Sequence, residues 1–257
     1  MSIVPNALAS FTLTSVTLAL AAMAAQAPTL KATEIGLRRA ALTSMTPSYP
    51  ASSVKAGVSG IAVAAVVTST AAGGAPSVEV LEAPDQAIAD AVRGAVGQWA
   101  FPVLQWPMQG KVTFYFRIEQ GKGRVLNPQD MPGGPTIKPR PTYTPENPPS
   151  VVKPSGGGAR VLTEADTTPI TFDELKKLTG ANRPLLLDVG ERASFKRGHL
   201  EGAINIPHDE LEVRGRIELR GRGRIVIDCT QEETFNCLFA DHVLKTDGFK
   251  DVAILRR

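Results

Sequence analysis

Three short apolar runs between Leu185 and Cys229 restrict the fold of this chain more than any other feature. Leu185-Leu186-Leu187 runs into Asp188, Ala203-Ile204-Asn205-Ile206 runs into Pro207, and Ile225-Val226-Ile227 runs into Asp228 and Cys229. Runs this short and this rich in Leu and Ile have the pattern of parallel strands buried on both faces. Gly198-His199-Leu200-Glu201-Gly202-Ala203 fits a tight turn that feeds the middle run. Open sheets of this kind do their chemistry at the carboxyl edge of the strands. Cys229, at a strand end and the mouth of a helix, and Asp188, at the neighbouring strand end, are the candidate catalytic residues.

The order Asp-Val, then Gly-His-x-x-Gly-Ala-x-x-x-Pro, then strand-Cys-helix resembles the rhodanese-like (sulfurtransferase) domain over about Ile170 to Leu255. The resemblance implies an α/β fold with a parallel sheet, a sulfur-carrying role for Cys229, and a loop whose backbone N–H groups encircle that sulfur. Such a loop needs converging donors and positive potential, because the group it holds is an anion. Here it reads Thr230-Gln231-Glu232-Glu233-Thr234-Phe235, without Gly, Lys or Arg. Two carboxylates beside a thiol repel an anionic donor and raise the thiol pKa. Gly190 stands where the family commonly carries a basic residue after Asp-Val, and the segment ends at Ile254-Leu255-Arg256-Arg257, where the family continues into a further helix. One sheet face is therefore expected to be left uncovered and open to a partner.

A second pattern occupies residues 46–118. Ser59 to Val67 and Ser77 to Leu81 read as strands around an Ala72-Gly73-Gly74 turn. Gln86 to Trp99 reads as a helix with Ala87, Ala91, Val92, Ala95 and Trp99 on one side, and Lys111 to Ile118 as an alternating strand. This ββ–α–β order, with Tyr49-Pro50 before it and Gln98-Trp99-Ala100-Phe101-Pro102 after the helix, resembles the TonB C-terminal domain, an α+β fold of typically periplasmic proteins. Between the two patterns, nine of the chain's 20 prolines fall from Asn127 to Ser155, followed by Gly156-Gly157-Gly158. Pro at that density favours an extended spacer, with few contacts between the domains it joins.

Ala7 to Ala25 holds no charged residue, and Ala25-Gln26-Ala27 resembles a signal-peptidase site, so a signal peptide and an uncleaved anchor both fit. The TonB-like resemblance favours export. Lys31, Arg38 and Arg39 on the downstream side oppose it under the positive-inside rule.

The expected architecture is thus a signal peptide or anchor at 1–27, an α+β TonB-C-like domain at 46–118, a Pro/Gly-rich linker at 127–159 and an α/β rhodanese-like domain at 165–257. A net charge of +3 is too small and too dispersed for a nucleic-acid binder. Residues 160–257 alone carry 16 Lys/Arg against 17 Asp/Glu. The only cysteines, Cys229 and Cys237, make neither a disulfide scaffold nor a metal site; two partly buried thiols fit better than a bond between them. No cofactor or metal is implied.

His199 reads as a turn-stabilising hydrogen-bonder. The run Arg214, Arg216, Arg220, Arg222, Arg224 reads as a solvated connection, with an acidic partner or anionic lipid headgroups as the alternative. Three functions fit. The first is a non-catalytic interaction or assembly protein on the periplasmic face of the membrane, with membrane-associated protein partners. The second is a sulfurtransferase carrying persulfide on Cys229, and the third a transport-linked TonB-type adaptor. The weak loop chemistry favours the first over the second. The short tether of about 20 residues before Tyr49 disfavours the third, since it spans at most roughly 70 Å.

Overall fold

A computed structural model describes residues 29–71, 73–138, 163–228 and 234–256. The apolar run 7–25, Ala72 of the expected turn, the linker from 139, and Cys229 with residues 230–233 lie outside them.

The first half builds a five-stranded sheet. Strand β1 (Leu30–Lys31) and helix α1 (Glu34–Ala40) come first, then α2 (Ala51–Lys55), β2 (Gly60–Val67), β3 (Ser77–Glu82), α3 (Gln86–Val96), β4 (Met108–Glu119) and β5 (Lys122–Leu126). The strand order is β1-β4-β2-β3, with β5 pairing the later part of β4. β2, β3, α3 and β4 form where the alternating and helical patterns place them. Asp85 caps α3 by accepting from the Ile88 N–H at 2.7 Å, and the Ser53 hydroxyl donates to its other oxygen at 2.6 Å. Of the expected face, Val92, Ala95 and Trp99 are buried as read, while Ile88, Ala89 and Val96 enter the core in place of the half-buried Ala87 and Ala91. The larger Ile88 and Val96 bury more apolar area than two alanines, and that decides the rotation.

Residues 30–41 are not a tether. β1 pairs in parallel with Met108 and Gln109 of β4, and Leu37 is fully buried in the core with Val92, Phe114 and Trp99. Arg38 is held by Glu34 at 2.8 Å and by the Thr113 carbonyl at 2.8 Å, with Trp99 and Phe114 rings 5.4 and 5.1 Å from its guanidinium. A buried guanidinium requires such partners. The β4–β5 hairpin turns on Gln120 and Gly121, both at positive φ, which suits a two-residue turn between twisted strands.

The described part of the expected linker is packed, not extended. Asn127 opens a short 3₁₀ turn, Pro128–Asp130, Met131 is 5% exposed, and Gly133 lies against the backbone of Arg216.

The second half is a parallel sheet in the order β6-β10-β9-β7-β8. Along the chain it runs β6 (Pro169–Thr171), α4 (Phe172–Lys177), β7 (Leu185–Asp188), α5 (Arg192–Arg197), β8 (Ile204–Asn205), α6 (Leu211–Glu218), β9 (Ile225–Asp228), α7 (Thr234–Thr246) and β10 (Val252–Arg256). One face packs Leu187, Ile225, Ile227 and Ile254 on Leu211, Leu219, Ala240 and Leu244 from α6 and α7. The other buries Val226, Ala253 and Leu255 under Phe172 and Leu175 of α4, with Leu200 beside them. That second face was expected to be bare; α4 covers it, and Val226 is fully buried.

Among the described residues, no helix is long and apolar enough to cross a membrane.

Candidate functional site

Asp188 and Asp228 end β7 and β9 in direct register, so the carboxyl edge carries two neighbouring acids. The Asp188 carboxylate accepts from the Gly190 N–H at 2.9 Å and from the Asn205 amide at 3.2 Å; that amide also donates to the Gly190 carbonyl at 2.8 Å. Asp188 therefore organises the turn after its own strand and is tied to β8 through Asn205, which sequence reading did not single out. Asp228 is 5% exposed. Cys229, the candidate nucleophile, lies outside the described residues.

His199 behaves as expected of a turn residue. Its Nδ1 lies 2.9 Å from the Phe195 carbonyl oxygen, which only accepts, and its ring stacks on Phe195 at 3.8 Å. His208, not singled out from sequence, follows β8. Its main-chain N–H bonds the Val189 carbonyl, its ring meets Phe239 edge-on, and its buried Nδ1 has no partner among the described residues. Cys237 on α7 is 3% exposed and is disulfide-bonded, which corrects the expectation of a buried thiol there.

Arg192 opens α5, the first helix after the Asp-Val pair. Its Nε and one terminal nitrogen donate to Glu82 of β3 at 3.0 and 2.8 Å, and both terminal nitrogens bond Glu210. Around that pair stands a charge cluster built from both halves of the chain. Arg214 bonds Glu210 at 2.9 Å and Glu218 at 2.6 and 3.0 Å, and reaches Glu82 at 3.4 Å. Lys111 of β4 bonds Asp209 and lies 3.1 Å from Glu210, and the Tyr115 hydroxyl reaches Glu218.

Burial alone would raise the Glu210 carboxyl. Hydrogen bonds and charge from Arg192, with Arg214 and Lys111 behind, hold it down at about 2. Burial likewise opposes the charge on Arg192, Arg214 and Lys111, and the surrounding carboxylates overcome it, so all three are held above their ordinary values. Tyr115 is raised by burial and by the Glu218 charge.

Two expectations change here. Arg214 is not part of a solvated connection: it is 3% exposed at the centre of this cluster. The two halves also touch, because the linker's composition says nothing about the surfaces it joins. Glu82, Lys111 and Tyr115 from one half meet Arg192, Glu210, Arg214 and Glu218 from the other. Chemically, the arrangement neutralises Arg192, while Lys196, exposed and without an ion pair among the described residues, lines the same cleft as Asn205. Among the described residues, no group of His, Cys, Asp and Glu could hold a metal ion.

The family model of the Rhodanese-like domain matches residues 171–257, and this part of the chain is a rhodanese-like domain. No curated protein matches the chain. Among solved structures, EanB bound to hercynine is similar at 23% identity and TM-score 0.29, covering 36% of this chain and 24% of that one. The chain thus spans about a quarter of the length of EanB. The Saccharomyces cerevisiae single-domain sulfurtransferase RDL2 is similar at 19% identity and TM-score 0.29, covering 36% of this chain and 85% of RDL2.

Proposed function

We propose that the rhodanese-like domain at residues 171–257 serves as a docked structural module of an interaction or assembly protein, not as a sulfurtransferase. One observation carries this reading. Arg192, which opens the first helix after the Asp-Val pair, is neutralised by Glu210 of its own domain and by Glu82 of the other half. An enzyme that holds an anionic sulfur donor needs a cation free to meet it. The loop sequence supports the same reading, since residues 230–235 contain two Glu and no Lys or Arg.

The first half, with its TonB-like ββ–α–β order, acts as the partner surface that holds the rhodanese-like domain in place. The periplasmic face of the membrane is the location proposed for it, on the strength of the 7–25 apolar run and that resemblance. A periplasmic reporter fused after Arg256 tests this: activity supports export, and silence with cytosolic recovery rejects it.

A second reading is a sulfurtransferase that carries persulfide on Cys229, favoured by the family match alone. Mass spectrometry of the reduced chain, freed of reductant and then incubated with thiosulfate, separates the two. No added sulfur on Cys229 supports the docked module, and gain of one sulfur atom there supports the enzyme.

A further inference from the structure

We infer that the amino edge of the rhodanese-like sheet, the end opposite Asp188 and Asp228, binds a soluble ligand bearing several phosphoryl groups. The loops that enter β7, β9 and β10 meet there, and two clefts of about 740 and 650 Å³ open on either side of Gly221–Arg224. Arg216, Arg220, Arg222, Arg224 and Lys250 line the first, and Arg183 joins from the second.

Against these six cations stand two carboxylates, Asp247 and Asp251. They pair with Arg216 and Arg224, the latter at 2.9 Å. Arg183, Arg220, Arg222 and Lys250 are exposed and form no ion pair among the described residues. The C-termini of α6 and α7 also lie at this edge and offset about half a charge each. About three positive charges stay uncompensated, more than helix-end neutralisation requires.

The composition of the patch points to the ligand. Three of the four free cations are arginines, whose planar fork meets phosphoryl oxygens two at a time. Gly221 and Gly223 flank Arg222, and a Cβ at either would meet nothing within 4 Å, so the approach to the Arg222 backbone is open. Residues 160–257 are close to neutral as a whole, with 16 Lys/Arg and 17 Asp/Glu. The field is therefore focused in a concavity and not spread along a track, which fits a compact polyanion better than a nucleic acid. Among the described residues, the exposed large apolar ones, Leu30, Leu42, Met45, Val103 and Phe235, all lie outside both clefts. A membrane-docking face would carry some of them.

The test is isothermal titration of the full chain with inorganic tripolyphosphate at physiological salt. Saturable binding is expected, weakened at least about tenfold in the Arg220→Ala/Arg222→Ala variant, a loss of about 1.4 kcal/mol. The Arg117→Ala/Lys122→Ala variant removes the same charge from exposed positions of the first half and should bind like the parent. Unchanged melting temperatures in both variants show that the fold is kept. Absence of saturable binding, or equal weakening by both variants, overturns the proposal. So does sedimentation with anionic-lipid vesicles that depends on Arg220 and Arg222 and that tripolyphosphate does not compete away, because the ligand is then a headgroup.

Discussion

Glu82, the last residue of β3, takes two hydrogen bonds from the Arg192 guanidinium, at 3.0 and 2.8 Å, across 110 residues of chain. This contact joins the edge strand of one sheet to the first helix after the Asp-Val pair of the other. It neutralises that guanidinium and brings one half of the chain against the other. Glu82 is 38% exposed while Arg192 and Glu210 are 15% and 2% exposed, so Glu82 closes the cluster from its solvent side.

Removing the cation should therefore destabilise the chain as a whole. Arg192→Ala strands the buried Glu210 beside fewer positive partners, at a cost of about 3 kcal/mol. Chemical denaturation of the full chain measures it. A Glu82/Arg192 double-mutant cycle should return a coupling of roughly 1 kcal/mol or more; a coupling of zero would mean that the contact does not join the halves.

Stability should also fall on acidification through one identifiable group. The Glu210 carboxyl is held at about 2, below its ordinary 4.5, so its contribution is fully present above about pH 4.5 and is lost as pH falls towards 2. The shift corresponds to about 3 kcal/mol. Glu210→Gln should be less stable at neutral pH and should show a flatter decline between those pH values. A variant with the parent's slope would assign the acid sensitivity elsewhere.

Leu37 offers a check on the first half. It is fully buried between α1 and β4, in a segment that the sequence pattern places outside the domain. Leu37→Ala should cost about 3 kcal/mol. A change within experimental error would return residues 30–41 to the status of a tether.

Cys237 makes a simple chemical prediction. Because it is disulfide-bonded, alkylation of the denatured protein without reductant should leave it unmodified, and prior reduction should expose it. Peptide mapping by mass spectrometry reads this directly, and labelling before reduction would refute the bond.

The legible parts of this fold were those with a local pattern. β2, β3 and β4 announce themselves by alternation, β7 and β9 by short apolar runs, and the Asp188 turn by an acid at a strand end. α1 was not legible because seven residues with two large apolar side chains, Ile35 and Leu37, spaced two apart, give no helical period to read. The buried face of α3 was legible at Val92, Ala95 and Trp99 but not at its edge, because alanines fit either side of a helix and only Ile88 and Val96 show how far the sheet side extends. α4 hid the second sheet face from any reading that looked for cover only at the C-terminal end of the family pattern. The charge cluster had one local hint, the i,i+4 spacing of Glu210, Arg214 and Glu218, which also describes an ordinary solvated helix. Its remote members, Glu82 and Lys111, carry no mark in the sequence, because long-range pairing is decided by how two finished surfaces fit.

The most direct measurement of the central claim is thiosulfate:cyanide sulfurtransferase turnover of the full chain, reduced and freed of reductant, beside its Cys229→Ser variant. With Arg192 neutralised by Glu82 and Glu210, and with no basic residue from 230 to 235, the two proteins should be indistinguishable at background. Turnover well above the Cys229→Ser control would contradict the docked-module account and establish the domain as a working sulfurtransferase.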